Sequence, residues 1–292
     1  MGRRRRERQR QATQARKRWT ALAVMAAVVA AIVLVQSCDS SADEPPRDVP
    51  QAAPVAPASV TDEYPHDPQA FTQGLLLDDG VLYESTGLYG ESSVRRVDLE
   101  TGQVLDSLRL GDAYFGEGMT ALDGRLYVLT WRGQRVFVLD QATLAPVDTL
   151  VLAGEGWGLT TDGDRFVWSD GSDRLRWLDP ATLRVVREGQ VRDAGRPVRQ
   201  LNELEMIDGR IYANVWQTGL IAVVDPASGT VVQWIDASQL HDLHMGQGRD
   251  VLNGIAYDEA GAHLLVTRKL WTTLYAMVRP PPADAGPPGV PP

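Results

Sequence analysis

Hydrophobic and polar positions between residues 71 and 278 recur in one pattern. A polar or aromatic residue, then Gly or Glu, then an apolar residue opens a short apolar segment: Gln73-Gly74-Leu75, Glu117-Gly118-Met119, Trp157-Gly158-Leu159, Asn202-Glu203-Leu204 and Asn253-Gly254-Ile255. Each segment runs into a turn, Asp-Gly in four of the five, and a second apolar segment follows. These second segments are Val81-Leu82-Tyr83, Arg125-Leu126-Tyr127, Arg165-Phe166-Val167, Arg210-Ile211-Tyr212 and His263-Leu264-Leu265. Short apolar runs separated by Asp-Gly predict β-hairpins. A third strand, such as Arg135-Val136-Phe137-Val138-Leu139, then ends at an aspartate. Asp98, Asp140, Asp179 and Asp225 are each followed three residues later by Thr or Ser, a spacing that predicts a tight turn before a fourth strand.

The turn glycines Gly80, Gly124, Gly163, Gly209 and Gly261 are spaced 44, 39, 46 and 52 residues apart. Units of that length, each with four short strands, predict an all-β fold, a five-bladed β-propeller. The fifth unit lacks a fourth strand, because the chain turns Pro-rich after Val278. Residues 59–64 precede Phe71-Thr72-Gln73-Gly74 at the same spacing by which residues 103–108 precede Phe115-Gly116-Glu117-Gly118. An N-terminal strand is therefore expected to complete the last blade and leave no open edge. The ring occupies residues 59–279.

The hairpin geometry brings the start of each first strand beside the end of each second strand. Seven residues past the turn glycines stand Gly87, Trp131, Asp170, Trp216 and Arg268, with Lys269 next. One mouth of the ring should thus gather Gln73, Glu117, Trp157, Asn202, Asn253, Trp131, Asp170, Trp216 and Lys269, with Phe71 and Phe115 two residues before their axial partners. Such a set offers an aromatic wall, amides, a carboxylate and an ammonium. Structural roles compete for each group: tryptophans packing between blades, amides holding channel water, a Glu117–Lys269 ion pair, or an Asp170–Arg268 pair.

Composition changes outside the ring. Residues 1–18 hold nine Lys/Arg and one acid, and residues 21–35 are an unbroken apolar run ending at Gln36-Ser37-Cys38. A basic segment before a short apolar one predicts a secretory signal or signal anchor over residues 1–38, with Cys38, the only cysteine, at a possible lipoprotein cleavage site. The expected location is extracytoplasmic: membrane-anchored, periplasmic or secreted. Residues 39–58, rich in Pro, Ala and acids, are expected to be an unfolded linker, and residues 280–292 a disordered Pro-rich tail. Removing the +8 of the basic arm from the net −9 leaves −17 on the remainder, which argues against a nucleic-acid partner. Four histidines, with His241 and His244 in the longest insertion, make a poor metal set.

Tyr64-Pro65-His66-Asp67-Pro68-Gln69-Ala70-Phe71-Thr72-Gln73-Gly74-Leu75 resembles the opening motif of the plant-and-bacterial-type glutaminyl-peptide cyclotransferases. Phe115-Gly116-Glu117-Gly118, Leu129-Thr130-Trp131, Leu201-Asn202-Glu203-Leu204-Glu205, Leu252-Asn253-Gly254-Ile255-Ala256 and Lys269-Leu270-Trp271 resemble the same family in the same order. Arg268, Thr272 and Trp168 depart from its pattern. The resemblance implies a five-bladed propeller that converts N-terminal Gln of peptides or proteins to pyroglutamate with release of ammonia. It further implies Glu117 as proton shuttle and Lys269 as its catalytic partner. Phe71, Gln73, Phe115, Trp131, Trp157, Asn202 and Trp216 would bind substrate. The scheme calls for no cofactor; a structural calcium ion is neither predicted nor excluded. The ring is expected to be monomeric. A metal-dependent propeller hydrolase finds few axial carboxylates here, whereas a non-catalytic peptide- or sugar-binding propeller remains a rival.

Overall fold

A computed structural model describes residues 51–242 and 251–281. The expected signal or anchor, Cys38, His244 and most of the Pro-rich tail lie outside the described residues. Five antiparallel sheets follow one another along the chain, as the repeat predicts, and form a five-bladed β-propeller. Blade one comprises Thr72–Asp78, Val81–Thr86, Ser93–Val97 and Val104–Arg109. Blade two comprises Gly116–Leu122, Arg125–Thr130, Arg135–Asp140 and Pro146–Val151. Blade three runs through Leu159–Thr161, Phe166–Ser169, Arg174–Leu178 and Val185–Gln190, and blade four through Leu201–Ile207, Arg210–Val215, Leu220–Val224 and Val231–Asp236. Blade five contains Leu252–Asp258, His263–Arg268 and Thr273–Val278.

Local chemistry sets these hairpins. In blades one, two and four the Asp-Gly turns place both central residues at positive φ, 49° and 75° at Asp79-Gly80, 51° and 70° at Asp123-Gly124, and 48° and 72° at Asp208-Gly209. That is the type I′ turn, whose twist matches the flanking strands. The four turn aspartates do what their spacing suggests. Asp98 Oδ1 accepts both the amide and the hydroxyl of Thr101, and Asp140, Asp179 and Asp225 hold Thr143, Thr182 and Ser228 in the same way.

Burial lies between blades. Five apolar clusters fill the five seams: Tyr83 and Val94 with Met119 and Val128, Leu129 with Phe166, Val167 with Ala213, Tyr212 with Ile255, and Leu75 with Leu265. The fifth seam joins blade five to blade one, so the ring closes through a hydrophobic contact as well as a hydrogen-bonded strand.

That strand is Val60–Pro65, antiparallel to Thr273–Val278, with Glu63 opposite Tyr275 and Tyr64 opposite Leu274. Tyr64 also packs on the cluster between blades five and one. The linker expectation needs correction at its C-terminal end. Val55–Pro57 is a strand, paired in parallel with Trp234, Ile235 and Asp236 on the outer edge of blade four. Ala53 N and Trp234 Nε1 both donate to Asp193, at 2.8 and 3.0 Å. Low apolar content hid this strand, since its main chain does the pairing. In the insertion after blade four, Gln239–Asp242 is a short helix. A chain beginning at residue 69 should lose the closing strand and melt roughly 10 °C or more below one beginning at residue 51, as a loss of about 3–5 kcal/mol gives in a domain of this size. A chain beginning at residue 59 should lie between. Equal melting of all three by differential scanning calorimetry would contradict closure by this strand.

Candidate active site

In four of the five blades the opening motif lies on a β-bulge. Register slips by one residue between Thr72 and Gly74, Gly116 and Met119, Leu201 and Leu204, and Leu252 and Ile255. A bulge re-aims the side chain it carries. The following glycine is dictated by crowding: a Cβ on Gly118 would stand 2.7 Å from Gly158 Cα and from Trp157 O, and one on Gly158 would run into Asn202 O. Blade four has Glu203 at this place, fully buried, with Oε2 accepting the amide of Ile255 in blade five at 2.8 Å. Burial, with Glu205 beside it, pushes the Glu203 carboxyl well above the carboxylate range. Side chains from second strands fix the next motif: Ser85 Oγ donates to Glu117 O, Ser169 Oγ donates to Asn202 O at 2.6 Å, and Asn214 Oδ1 accepts Gly254 N at 3.1 Å.

The mouth is a cavity of about 380 Å³. Phe71, Gln73, Phe115, Glu117, Trp131, Trp157, Asn202, Trp216 and Lys269 all line it, together with Gln217 and Val251, which the repeat pattern did not single out. Room for the rings comes from small residues at second-strand ends: a Cβ on Gly171 would fall 2.7 Å from the Trp157 ring. The other candidates do not reach the cavity. Asn253 is fully buried, and its amide nitrogen donates to Gln73 Oε1 at 3.0 Å and to Thr72 O at 3.1 Å. Asp170 turns away and pairs with Arg176 at 2.7 Å, not with Arg268, because the loop after its strand lets it cap Ser172. The Arg268 guanidinium lies 4.7 Å from the Trp271 ring centroid.

Glu117 is 5% exposed. Burial pushes its carboxyl well above the ordinary carboxylate range; Lys269 and a hydrogen bond from Gln73 oppose that shift, and the charge of Glu155 adds to it. Lys269, equally buried, is brought down to about 8 by desolvation, with Glu117 opposing. Its Nζ stands 4.6 Å over the Phe71 ring. The pair thus holds two groups with pKa values displaced toward neutrality, one acid and one base, in surroundings that disfavour charge.

Sequence reasoning missed a buried polar network beneath Lys269. His66 Nε2 meets Glu84 Oε1 at 3.1 Å, Thr72 Oγ1 donates to the same oxygen at 2.6 Å, and Arg95 bridges Glu84 Oε2 and Asp67 Oδ2 at 2.6 and 2.7 Å. Burial works against ionisation of Glu84, yet His66, Arg95 and Thr72 outweigh it and bring the carboxyl down to about 2. His66 Nδ1 lies 2.8 Å from Trp271 O, His66 N donates to Thr272 O at 2.9 Å, and Leu270 N donates to Ala70 O at 2.7 Å. The segment carrying Phe71 and Gln73 is in this way tied to the turn carrying Lys269. The available signal was the Pro-His-Asp of the opening motif, combined with a Glu and an Arg inside blade one.

Among the described residues, no three His, Cys, Asp or Glu side chains gather as metal ligands would. A family model described as glutamine cyclotransferase matches residues 26–278. Over 221 residues the chain is 47% identical to a glutaminyl-peptide cyclotransferase of Arabidopsis thaliana, covering 74% of this chain and 69% of that one. The crystal structure of Myxococcus xanthus glutaminyl cyclase matches with a TM-score of 0.73 at 37% identity, covering 77% of this chain and 97% of that one. A five-bladed ring with this cavity, matched over its whole length, belongs to the glutamine cyclotransferase family.

Proposed function

We propose that the ring is a glutaminyl-peptide cyclotransferase that turns the N-terminal glutaminyl residue of peptides and proteins into a pyroglutamyl residue, with Glu117 as the proton shuttle. The observation that carries this reading is a single desolvated carboxyl facing a desolvated lysine inside an aromatic cavity. The substrate's own α-amine is the nucleophile. Its nitrogen attacks the side-chain carboxamide carbon, a five-membered lactam forms, and the bond to the amide nitrogen breaks. Glu117, as carboxylate, takes a proton from the attacking amine and delivers it to the departing nitrogen, which leaves as ammonia. No proton is gained or lost overall.

A shuttle of this kind works best with a pKa raised from the ordinary carboxylate value toward the operating pH, and burial raises that of Glu117. Lys269 and the Gln73 amide are suited to support the oxygen that becomes negative as the tetrahedral intermediate forms. Asn202 Oδ1 is buried and has no hydrogen-bond partner among the described residues, so a substrate N–H would satisfy it. Phe71, Phe115, Trp131, Trp157 and Trp216 would fold the glutaminyl chain toward its amine and keep water out. Nothing in this scheme calls on a cofactor.

The basic arm and the apolar run of residues 21–35 support a location outside the cytoplasm for the ring, with Cys38 as the lipid attachment point. Cys38→Ser should then alter apparent mass and membrane fractionation; an unchanged variant would contradict lipidation.

Glu117→Gln keeps the size of the side chain but cannot accept and return a proton. It should lower kcat by about 10²–10⁴-fold with KM for a Gln-initiated peptide nearly unchanged. Trp216→Ala should act chiefly on KM. Ammonia release and mass spectrometry of the peptide read both, and a near-normal kcat in Glu117→Gln would remove Glu117 from the shuttle role.

A further inference from the structure

The aromatic walls of the cavity fall into two groups. Phe115 meets Phe71 and Trp131 edge to face, at centroid distances of 6.0 and 5.7 Å, while Trp157 and Trp216 meet at 5.6 Å. Glu155, which is not part of the cavity lining, joins the groups. Its Oε2 accepts the indole N–H of Trp131 at 2.9 Å and that of Trp157 at 3.3 Å, and its Oε1 accepts Arg132 Nε at 2.8 Å. The Arg132 guanidinium in turn lies 4.0 Å from the Trp131 centroid.

The main chain of Glu155 is held as firmly as its side chain. Gly156 N donates to Trp131 O at 2.9 Å, and Trp168 Nε1 donates to Glu155 O at 3.1 Å. A Cβ on Gly154 would fall 2.7 Å from the Trp168 ring, so the segment can lie flat against that indole. Behind Trp168, the Arg176 guanidinium sits 5.0 Å from the ring, fixed by Asp170 and Glu188 at 2.7 and 2.8 Å. Trp168 thus bonds Glu155 directly, while Asp170 holds the Arg176 that stacks on Trp168.

Stability does not explain the arrangement. The Arg132 and Glu155 side chains are 62% and 39% exposed, and an ion pair so open to water adds little. Bonds from neutral indoles to a charged carboxylate are directional, and these two bring together tryptophans from different blades. We propose that Glu155 is a positioning residue for cyclisation: by accepting both indole N–H groups it sets Trp131 and Trp157 as the walls against which the glutaminyl side chain folds. The inference rests on the cyclotransferase reading for its substrate, though not for its geometry.

The test is a double-mutant cycle in the full chain, with Glu155→Ala, Glu155→Gln, Trp131→Phe and the Trp131→Phe/Glu155→Ala pair, read by kcat and KM on a Gln-initiated peptide and by near-UV circular dichroism. Glu155→Ala should lower kcat/KM about 10–100-fold, mainly through KM, and change the tryptophan bands while leaving far-UV signal intact. Glu155→Gln should recover most of the loss, since its amide oxygen still accepts the indoles. In the Trp131→Phe background, which lacks that indole N–H, Glu155→Ala should cost several-fold less. Fully independent penalties in the cycle, with unchanged tryptophan bands, would overturn the proposal. An inactive wild type would overturn the cyclotransferase reading instead, and the near-UV bands of Glu155→Ala and Glu155→Gln would still decide this one.

Discussion

Five inner strands converge on one axis with so little room that a methyl group on Gly118 or Gly158 would collide with the backbone of the next blade, and the site is made out of that crowding. Because the second motif position must be small, the first carries the side chain that reaches the mouth, and the bulge aims it there. Crowding also excludes water. Glu117 lies between two tightly packed glycines and is 5% exposed, so its carboxyl has few means of solvation, and Lys269 is as buried. The displaced pKa values follow from this packing rather than from any unusual chemistry of the two residues.

Blade four shows the same constraint from the other side. Glu203 replaces the glycine, and its carboxyl takes the amide of Ile255 where other blades bring backbone against backbone. Blades four and five are joined there by a side chain, and blades five and one by Asn253 with Gln73, His66 with Trp271, and the closing strand. Polar ties thus reinforce the hydrophobic contact at the seam between blades five and one. Phe71, Gln73 and Lys269 all stand on it.

Much of this was legible in the residues, for identifiable reasons. Turn chemistry is local, so Asp98 with Thr101 or Asp79 with Gly80 announce themselves, and a repeated turn gives the blade count. Hairpin geometry is regular enough to carry Gln73, Glu117, Trp131, Trp157, Asn202, Trp216 and Lys269 to a common mouth. It fails at Asp170, which like Trp131 and Trp216 stands one residue past its strand, but whose carboxylate is held by Ser172 and Arg176 instead. Partnerships between separate segments left little local trace. His66, Glu84 and Arg95 are separated in sequence yet adjacent in space, Glu155 is one acid among many until Trp131 is placed beside it, and Val55–Pro57 pairs through main-chain groups common to every sequence.

Desolvation raises the Glu117 carboxyl well above the ordinary carboxylate range, and Lys269 restrains the shift. Infrared difference titration measures it directly: the carboxylic-acid carbonyl band present in the protein and absent from Glu117→Gln isolates this group from Glu203 and Glu205, which burial also lifts. The band should persist well above about pH 4.3, where an ordinary glutamate has half ionised. In Lys269→Met, without the ammonium that favours the charged form, it should persist to still higher pH. A wild-type band that disappears with an ordinary carboxylate pKa, or one that moves to lower pH in Lys269→Met, would contradict the account.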